Sequence, residues 1–251
     1  MTSPQISEDI LTEIFLYLDL RDLSSVSQVC SQWHDVLLDE DSCIWESQFL
    51  RNVPLKAQKS KVMESFSSYK AKLIAYLHGW NPSDCSKNIY ILDDGFTYHR
   101  RAVAQSTDAA RGRRGFRSGR HCWEVWWEKS LGSHAVIGVA LKQARMEQQG
   151  YLSLIGNNAY SWGWNVVDNT LYHKGRVGKF PRFAIPKIEP KVKVRVLLDC
   201  DEGTLSFEKD NWFLGVAFSG LPTDQTLYAT ASSVYGETEV VMVYRGWPID
   251  G

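Results

Sequence analysis

The chain has 251 residues, of which 44% are hydrophobic and 23% are charged, and its formal net charge at pH 7 is -1. This composition is typical of a folded globular protein with one or two domains, and it excludes a wholly disordered chain. The near-neutral charge argues against binding of nucleic acid through bulk charge.

The five cysteines are scattered and include no C-x-x-C pair, which is typical of reduced thiols in a cytosolic protein. No apolar run reaches the about 20 residues that a membrane helix requires. The amino terminus lacks the basic and then apolar pattern of a signal peptide. The sequence therefore predicts a cytoplasmic protein without membrane insertion.

The first fifty residues carry apolar side chains at helical spacing and predict three helices. The first begins at Ser7, a suitable cap, and the second begins near Asp19 and extends to Leu37. The third covers residues 42–50. These helices are too few to enclose so many large apolar side chains. From the residues alone, the simplest interpretation is a small helical subdomain that packs on the rest of the chain.

A polar stretch with a breaker, Pro54, separates these helices from the next apolar pattern. Apolar residues from Val62 to Leu77 then predict one long amphipathic helix that ends at Gly79. Residues 81–84, Asn-Pro-Ser-Asp, break this helix. We therefore predict a helical linker over residues 51–84.

Helical periodicity disappears after Cys85, and short β-rich runs alternate with turns. The clearest stretch is residues 194–221, where three strands are separated by an acidic Gly-containing turn at 199–203 and by Asp210-Asn211. Further strands are predicted at 88–92, 96–100, 121–127, 134–141, 160–164, 170–173, 227–232 and 238–244. This pattern is typical of a β-sandwich.

The first helices resemble an F-box in the order and spacing of Ile10-Leu11, Ile14-Phe15, residues 17–23, Val29-Cys30, Trp33 and Ile44-Trp45. In that family a Skp-type adaptor protein covers the apolar surface that the helices leave open. The resemblance implies that the adaptor-binding residues are Ile10, Leu11, Ile14, Leu18, Leu20, Leu23, Val26, Val29, Cys30 and Trp33.

The second half resembles a SPRY domain in residues 119–125, 138–140, 161–164, 203–207 and 215–218. The closest likeness is to SOCS-box SPRY proteins and to the synaptic (Fsn-like) F-box/SPRY family, and the N-terminal F-box favours the second group. SPRY domains present a peptide-binding patch on loops of a rigid sandwich. By the SOCS-box pattern that patch holds Arg100, Ala102, Ala104, Leu131, Gly132, Ser133, Tyr151, Tyr235 and Gly236.

The predicted fold is thus an α+β multidomain chain: an F-box at 1–50, a helical linker at 51–84 and an all-β SPRY β-sandwich at 85–251. The resemblance implies a non-catalytic adaptor of a ubiquitin ligase complex, without cofactor or metal. Its partners would be a Skp-type adaptor, a substrate peptide and a Highwire-class RING ubiquitin ligase that regulates synapse growth. The expected location is cytoplasmic and synaptic.

Two alternatives stay open. The basic, Gly-interrupted segment at residues 111–120 is a candidate for binding RNA or an acidic protein, with a solvated loop as the simpler interpretation. Ser161, in Ala-Tyr-Ser-Trp-Gly, is a candidate hydrolase nucleophile, although no helix follows it as that motif requires.

Overall fold

The structure is a computed structural model that describes residues 6–246. The chain divides between Tyr76 and Leu77 into two compact units, one helical and one built of strands. This division confirms the predicted fold class of a helical N-terminal part followed by an all-β part.

The helical unit contains short helices joined by tight connections. Its α-helices are α1 (Glu8–Leu16), α2 (Leu20–Val26), α3 (Ser31–Asp35), α4 (Cys43–Asn52), α5 (Leu55–Gln58) and α6 (Tyr69–Leu77), with a 3₁₀ helix at Lys61–Ser65. A small core forms among α1, α2, α4 and the segment after α3. It is built from Leu11, Phe15, Leu23, Val36, Leu37 and Ile44.

The cap predicted at Asp19 is confirmed, because its carboxylate accepts a hydrogen bond from Asp22 N at 2.8 Å. Ser7 occupies the N-cap of α1, but its hydroxyl makes no capping bond. The second predicted helix is wrong in its length. The backbone is extended at Cys30, and a separate helix, α3, follows; Trp33 in this helix packs edge-to-face on Phe15 with centroids 5.6 Å apart.

The prediction of a single long linker helix is also wrong. Ser60 Oγ accepts from Val62 N and starts the 3₁₀ helix, whereas Ser68 Oγ accepts from Ala71 N near the start of α6. Serine in these positions competes for backbone donors and begins a new helix at each site. The linker therefore consists of three short helices.

The second unit is a sandwich of two antiparallel sheets. Within residues 77–246 the strands are β1 (Trp80–Cys85), β2 (Ile89–Ile91), β3 (Thr97–Arg100), β4 (Ser106–Phe116), β5 (Arg120–Trp127), β6 (Ala135–Ala140), β7 (Glu147–Gln149), β8 (Ser161–Asn165), β9 (Thr170–His173), β10 (Arg176–Lys179), β11 (Val194–Asp199), β12 (Thr204–Lys209), β13 (Trp212–Ser219), β14 (Leu227–Ser233) and β15 (Glu239–Gly246). One sheet has the order β1-β4-β14-β6-β8-β9-β10, with β7 paired to β4, and the other has the order β13-β12-β11-β5-β15-β3-β2.

Aromatic side chains join the two sheets across the core. Trp164 of β8 lies 4.9 Å from Phe207 of β12 between ring centroids. Tyr98 of β3 donates a hydrogen bond to Ser233 of β14 at 3.2 Å. Such large buried rings contribute much of the apolar area that stabilises a sandwich of this kind.

The predicted meander is confirmed in its turns as well as its strands. Asp199 Oδ1 accepts hydrogen bonds from the amides of Asp201 and Glu202. Asp210 and Asn211 both have positive φ, as a two-residue hairpin turn between β12 and β13 requires.

Four strands, β1, β4, β7 and β10, were not among those predicted. β1 changes the domain boundary, because Trp80–Cys85 pairs with β4 although it contains Pro82. An edge strand tolerates proline, and β1 lies at the edge of its sheet. The linker predicted to extend to residue 84 therefore ends with α6 at Leu77, and the β domain begins before residue 85.

Candidate functional site

An apolar stripe is exposed along α1 and its flanks. Ile6, Ile10, Ile14 and Tyr17 follow each other at steps of four, four and three, so they share one face of the helix. Their exposed fractions are 40%, 54%, 46% and 84%. The neighbouring face carries Leu11 and Phe15, which are buried in the core. The helix is thus apolar on two faces, of which its own unit covers one.

The predicted adaptor-binding residues divide by burial. Ile10, Ile14, Val29 and Cys30 are exposed, and Leu18, Leu20, Val26 and Trp33 are half-buried. Leu11 and Leu23 retain only 1% exposure each.

Leu11 and Leu23 are therefore corrected from contact residues to core residues, since the helices pack them inward against Phe15 and Ile44. Five exposed apolar residues of this unit were missing from the predicted set: Ile6, Tyr17, Leu38, Leu50 and Leu55. Tyr17 was detectable in the sequence, because it lies seven residues after Ile10 on the same helical face.

Three loops of the sandwich leave the sheets at one end. Ser233 of β14 pairs with Ala135 at the start of β6 and with Asp108 near the start of β4. Glu239 of β15 pairs with His99 near the end of β3. This register places the loops 101–105, 128–134 and 234–238 together, and we call them the end loops.

The end loops bring several predicted peptide-binding residues into contact. A Cβ added at Gly236 would lie 2.9 Å from Ala102 Cα, and one added at Gly132 would lie 2.9 Å from Tyr235 Cβ. Neither glycine leaves room for a side chain. Close approach of the backbones holds Ala102, Gly132, Tyr235 and Gly236 as one surface.

Tyr151 joins this end of the sandwich from the segment after β7. Its hydroxyl accepts a hydrogen bond from Gln105 N in the first end loop at 3.0 Å. Tyr151 and Tyr235 keep 47% and 48% of their surface exposed. Two half-exposed tyrosines held on fixed backbone are suited to contact an extended peptide. Ala104 and Ser133 are also exposed in the end loops.

Arg100 and Leu131 are corrected, because neither presents a side chain to a ligand. Leu131 keeps 7% exposure and Arg100 none. The Arg100 guanidinium forms an ion pair with Asp108 and donates to the carbonyls of Val103 and Ser106. Arg100 thus shapes the 101–105 loop from within.

Glu237 and His99 were not predicted, yet they tie two of the end loops together. Glu237 accepts from Ala102 N at 3.2 Å and lies 3.0 Å from His99 Nε2. The other ring nitrogen, His99 Nδ1, lies 3.2 Å from Glu239 Oε1. Only the pairing of β3 with β15 brings these residues together, so neither composition nor spacing marks them.

His134 follows Ser133 and lies 3.0 Å from its hydroxyl through Nδ1. Burial lowers the pKa of His134, and the nearby carboxylate of Asp168 opposes this only in part. The imidazole is therefore neutral near pH 7. A peptide at this end meets a polar but uncharged group at His134.

The basic segment at 111–120 is not a loop, which corrects that prediction. Residues up to Phe116 belong to β4, and β5 begins at Arg120. Arg111 is 2% exposed and forms an ion pair with Asp84 at 3.2 Å. Its charge is thus already neutralised within the fold.

Ser161 is fully buried in β8. Its hydroxyl accepts from Gly156 N at 2.8 Å and donates to Asn158 Oδ1 at 3.2 Å. His173 lies near the backbone carbonyl of Ser161 rather than its hydroxyl. A nucleophile needs a base at its hydroxyl and access to substrate, and Ser161 has neither.

Residues 6–246 hold no cluster of three or more His, Cys, Asp or Glu side chains arranged to bind a metal ion. In the same range, no helix combines the length and the apolar character required to cross a membrane.

Family comparisons agree with the two units. A model of the SPRY domain matches residues 120–246, and a model described as F-box-like matches residues 8–51. F-box/SPRY domain-containing protein 1 of Drosophila grimshawi is 53% identical over 253 residues, covering 100% of both chains. The protein of that name from Drosophila melanogaster is 53% identical over 245 residues, covering 97% of this chain and 96% of the relative.

Among solved structures, the SPRY domain of human HERC1 superposes with a TM-score of 0.53 at 15% sequence identity. The match covers 66% of this chain and 97% of that domain. At this identity the likeness supports the sandwich fold alone.

Proposed function

Because the chain belongs to the F-box/SPRY domain-containing protein 1 family, we propose that it is the substrate-recognition adaptor of a ubiquitin ligase complex. In this proposal the F-box binds a Skp-type adaptor, and the SPRY domain binds a peptide segment of a substrate or of a Highwire-class RING ligase. The chain itself transfers no ubiquitin and acts in the cytoplasm at synapses.

The observation that carries the proposal is the exposed apolar stripe Ile6, Ile10, Ile14 and Tyr17. Single exposed apolar residues are ordinary on protein surfaces, but a row of them on one helical face favours a protein partner. Burial of such a row by a partner helix would follow the helix-in-groove mode of recognition.

The end loops, together with Tyr151, supply the second contact. Tyr151 and Tyr235 offer large, rigid, amphipathic rings, which are frequent anchors of peptide recognition. Because both are exposed while the backbone under them is fixed, a peptide would bind without prior ordering of the loops. The two surfaces belong to separate units. The proposal therefore requires that a variant which no longer binds a partner at one surface still binds the partner at the other surface.

Capture from neuronal lysate, followed by mass spectrometry, tests the proposal. The wild-type chain should retain a Skp-type adaptor together with a RING ligase or its substrate. A variant altered at Ile10 and Ile14 should lose only the adaptor, and one altered at Tyr151 and Tyr235 should lose only the other partners. Loss of neither partner from the folded variants, or capture of RNA-bound complexes alone, would contradict the proposal.

A further inference from the structure

The hairpin of β9 and β10 and the segment after it carry a concentration of positive charge. From Asn169 to Ile188 the sequence contains no Asp or Glu. It contains five basic residues, Lys174, Arg176, Lys179, Arg182 and Lys187, all exposed. We call residues 174–187 the basic edge.

These five side chains differ from most other basic residues of the β unit in lacking carboxylate partners. Arg100, Arg111, Arg120, Arg195 and Arg245 each form an ion pair with an Asp or Glu. Among the ion pairs of residues 6–246, none involves a residue of the basic edge. Lys179 Nζ reaches only the neutral oxygens of Asp168 O and Thr170 Oγ1. Among the described residues, therefore, no ion pair neutralises the positive charges of the basic edge.

The backbone of the basic edge is also open. β10 is the last strand of its sheet and pairs on one side only, with β9. Arg176 pairs with His173 across the turn, and Phe180 N donates to Asn169 O. In an antiparallel ladder the amides of alternate residues point to opposite sides. The amide and carbonyl groups of Val177 and Lys179 consequently face away from β9.

The hairpin holds this edge rigidly. Lys174 and Gly175 both have positive φ and form the two-residue turn. Their amides donate to Asn158 O and Gly156 O, each at 3.1 Å. The strand that presents the charges is thus fixed to the body of the sandwich.

Apolar side chains accompany the charges. Val177 in β10 is 65% exposed, and Phe183 in the following segment is 50% exposed. All four residues of β10 are exposed. An unpaired strand with basic and apolar side chains is complementary to an extended segment that alternates acidic and apolar residues.

We propose that the basic edge binds an acidic polypeptide segment, which adds as a strand to β10. This surface is separate from the end loops, and the inference does not depend on the proposed adaptor function. A polypeptide is favoured over nucleic acid because only a backbone with amide donors and carbonyl acceptors pairs with the open groups of Val177 and Lys179. The long, exposed Lys and Arg side chains on this edge also prevent it from pairing with the same edge of a second copy of the chain.

The probe for the test is a capped, fluorescein-labelled peptide (Glu-Val)4, measured by anisotropy against the full chain. Its control is (Glu-Pro)4, which has the same charge but cannot form a regular ladder. The variant is Arg176→Glu with Arg182→Glu. The matched control is Arg114→Glu with Arg117→Glu, which reverses two exposed charges outside the basic edge. Melting temperature verifies that both variants are folded.

We expect (Glu-Val)4 to bind the wild type and the matched control within about twofold of each other. Binding should weaken by roughly tenfold or more for the Arg176/Arg182 variant and for (Glu-Pro)4, and it should weaken at high salt. The proposal is overturned if (Glu-Val)4 does not bind at about 1 mM chain, or if (Glu-Pro)4 binds equally well. Phosphatidylserine vesicles and oligouridine RNA are tested as competing ligands. The proposal is also overturned if Arg176→Glu with Arg182→Glu weakens binding to one of these ligands but not to (Glu-Val)4.

Discussion

Arg100 Nε donates to Asp108 Oδ2 at 2.7 Å, and neither side chain has any exposed surface. The pair connects the end of β3 to β4 beneath the loop that carries Ala102 and Ala104. A buried charge is tolerated only when its partners are complete, and here the guanidinium also donates to three backbone carbonyls. The residue expected to touch a ligand therefore supports the 101–105 loop, for which we propose peptide binding, from beneath.

Replacement of Arg100 by Met should destabilise the chain by about 3–5 kcal/mol, because it leaves Asp108 buried without its partner. The double variant with Asp108→Asn should be less destabilised, since the remaining amide is neutral. Denaturant unfolding of the wild type and both variants measures these differences. If Arg100→Met unfolds like the wild type and loses only a peptide, Arg100 is a contact residue after all.

Removal of β1 should destabilise the sandwich. Trp80 is fully buried, and its Nε1 donates to Val240 O at 3.0 Å. A fragment of residues 77–251 should therefore fold alone as a β protein, whereas residues 85–251 should melt at much lower temperature or fail to fold. Loss of a buried Trp commonly costs about 3–5 kcal/mol. Circular dichroism melts of both fragments measure this, and equal melting would disprove the role given to β1.

Tyr151→Ala and Tyr235→Ala should each weaken binding of the SPRY partner by about 2 kcal/mol or more, with little change in melting temperature. Their rings are half exposed, so their removal leaves no cavity. Tyr160→Ala is the matched control, because Tyr160 is equally exposed at 47% and precedes Ser161, which pairs with Ala140 at the end of β6 far from the end loops. Partner capture and melting curves would both be recorded. A Tyr160 variant that loses the partner as strongly as the other two would contradict the assignment.

The Glu124 carboxylate should make stability sensitive to acid. Burial alone would raise the pKa of Glu124, but Arg245, Lys193 and Arg195 bring it below its ordinary value. A carboxyl whose pKa is depressed in the folded state stabilises the fold above its unfolded pKa of about 4.3. That stabilisation is lost as pH falls through the folded pKa.

Glu124→Gln should therefore lower the melting temperature at pH 6, and the difference from the wild type should shrink as pH falls toward 3. Thermal melts across this range provide the measurement. A difference that is constant with pH, or that grows on acidification, would show that the three cations do not stabilise the Glu124 carboxylate.

Much of the fold was predictable because the strands of residues 194–208 largely alternate apolar and polar residues, and clear turns follow at 199–203 and 210–211. β4 could not be predicted because its residues 111–115 are arginines and glycines, which are not typical of strands. β1 could not be predicted because Pro82 is typical of a turn. In both cases pairing within the sheet overrides local preference. The order of F-box and SPRY segments was predictable from motifs that extend over both units.

The sites were less predictable than the fold. Ile10 and Leu11 are adjacent and equally apolar, and only packing against Phe15 shows which of them faces the core. Arg100 has the chemistry of a ligand anchor, and its burial follows from the position of Asp108 in the folded sheet. Sequence spacing alone does not predict either contact.

Titration calorimetry with a purified Skp-type adaptor tests whether the exposed stripe of α1 binds this partner. The variant is Ile10→Asp with Ile14→Lys, which removes apolar surface but retains a favourable pair at i and i+4. Leu55→Lys is the control, since Leu55 is 63% exposed in the same unit but outside the stripe. We predict that the wild type and the Leu55 variant bind alike, while the stripe variant stays folded and binds at least tenfold more weakly. Undiminished binding by the folded stripe variant would contradict the claim.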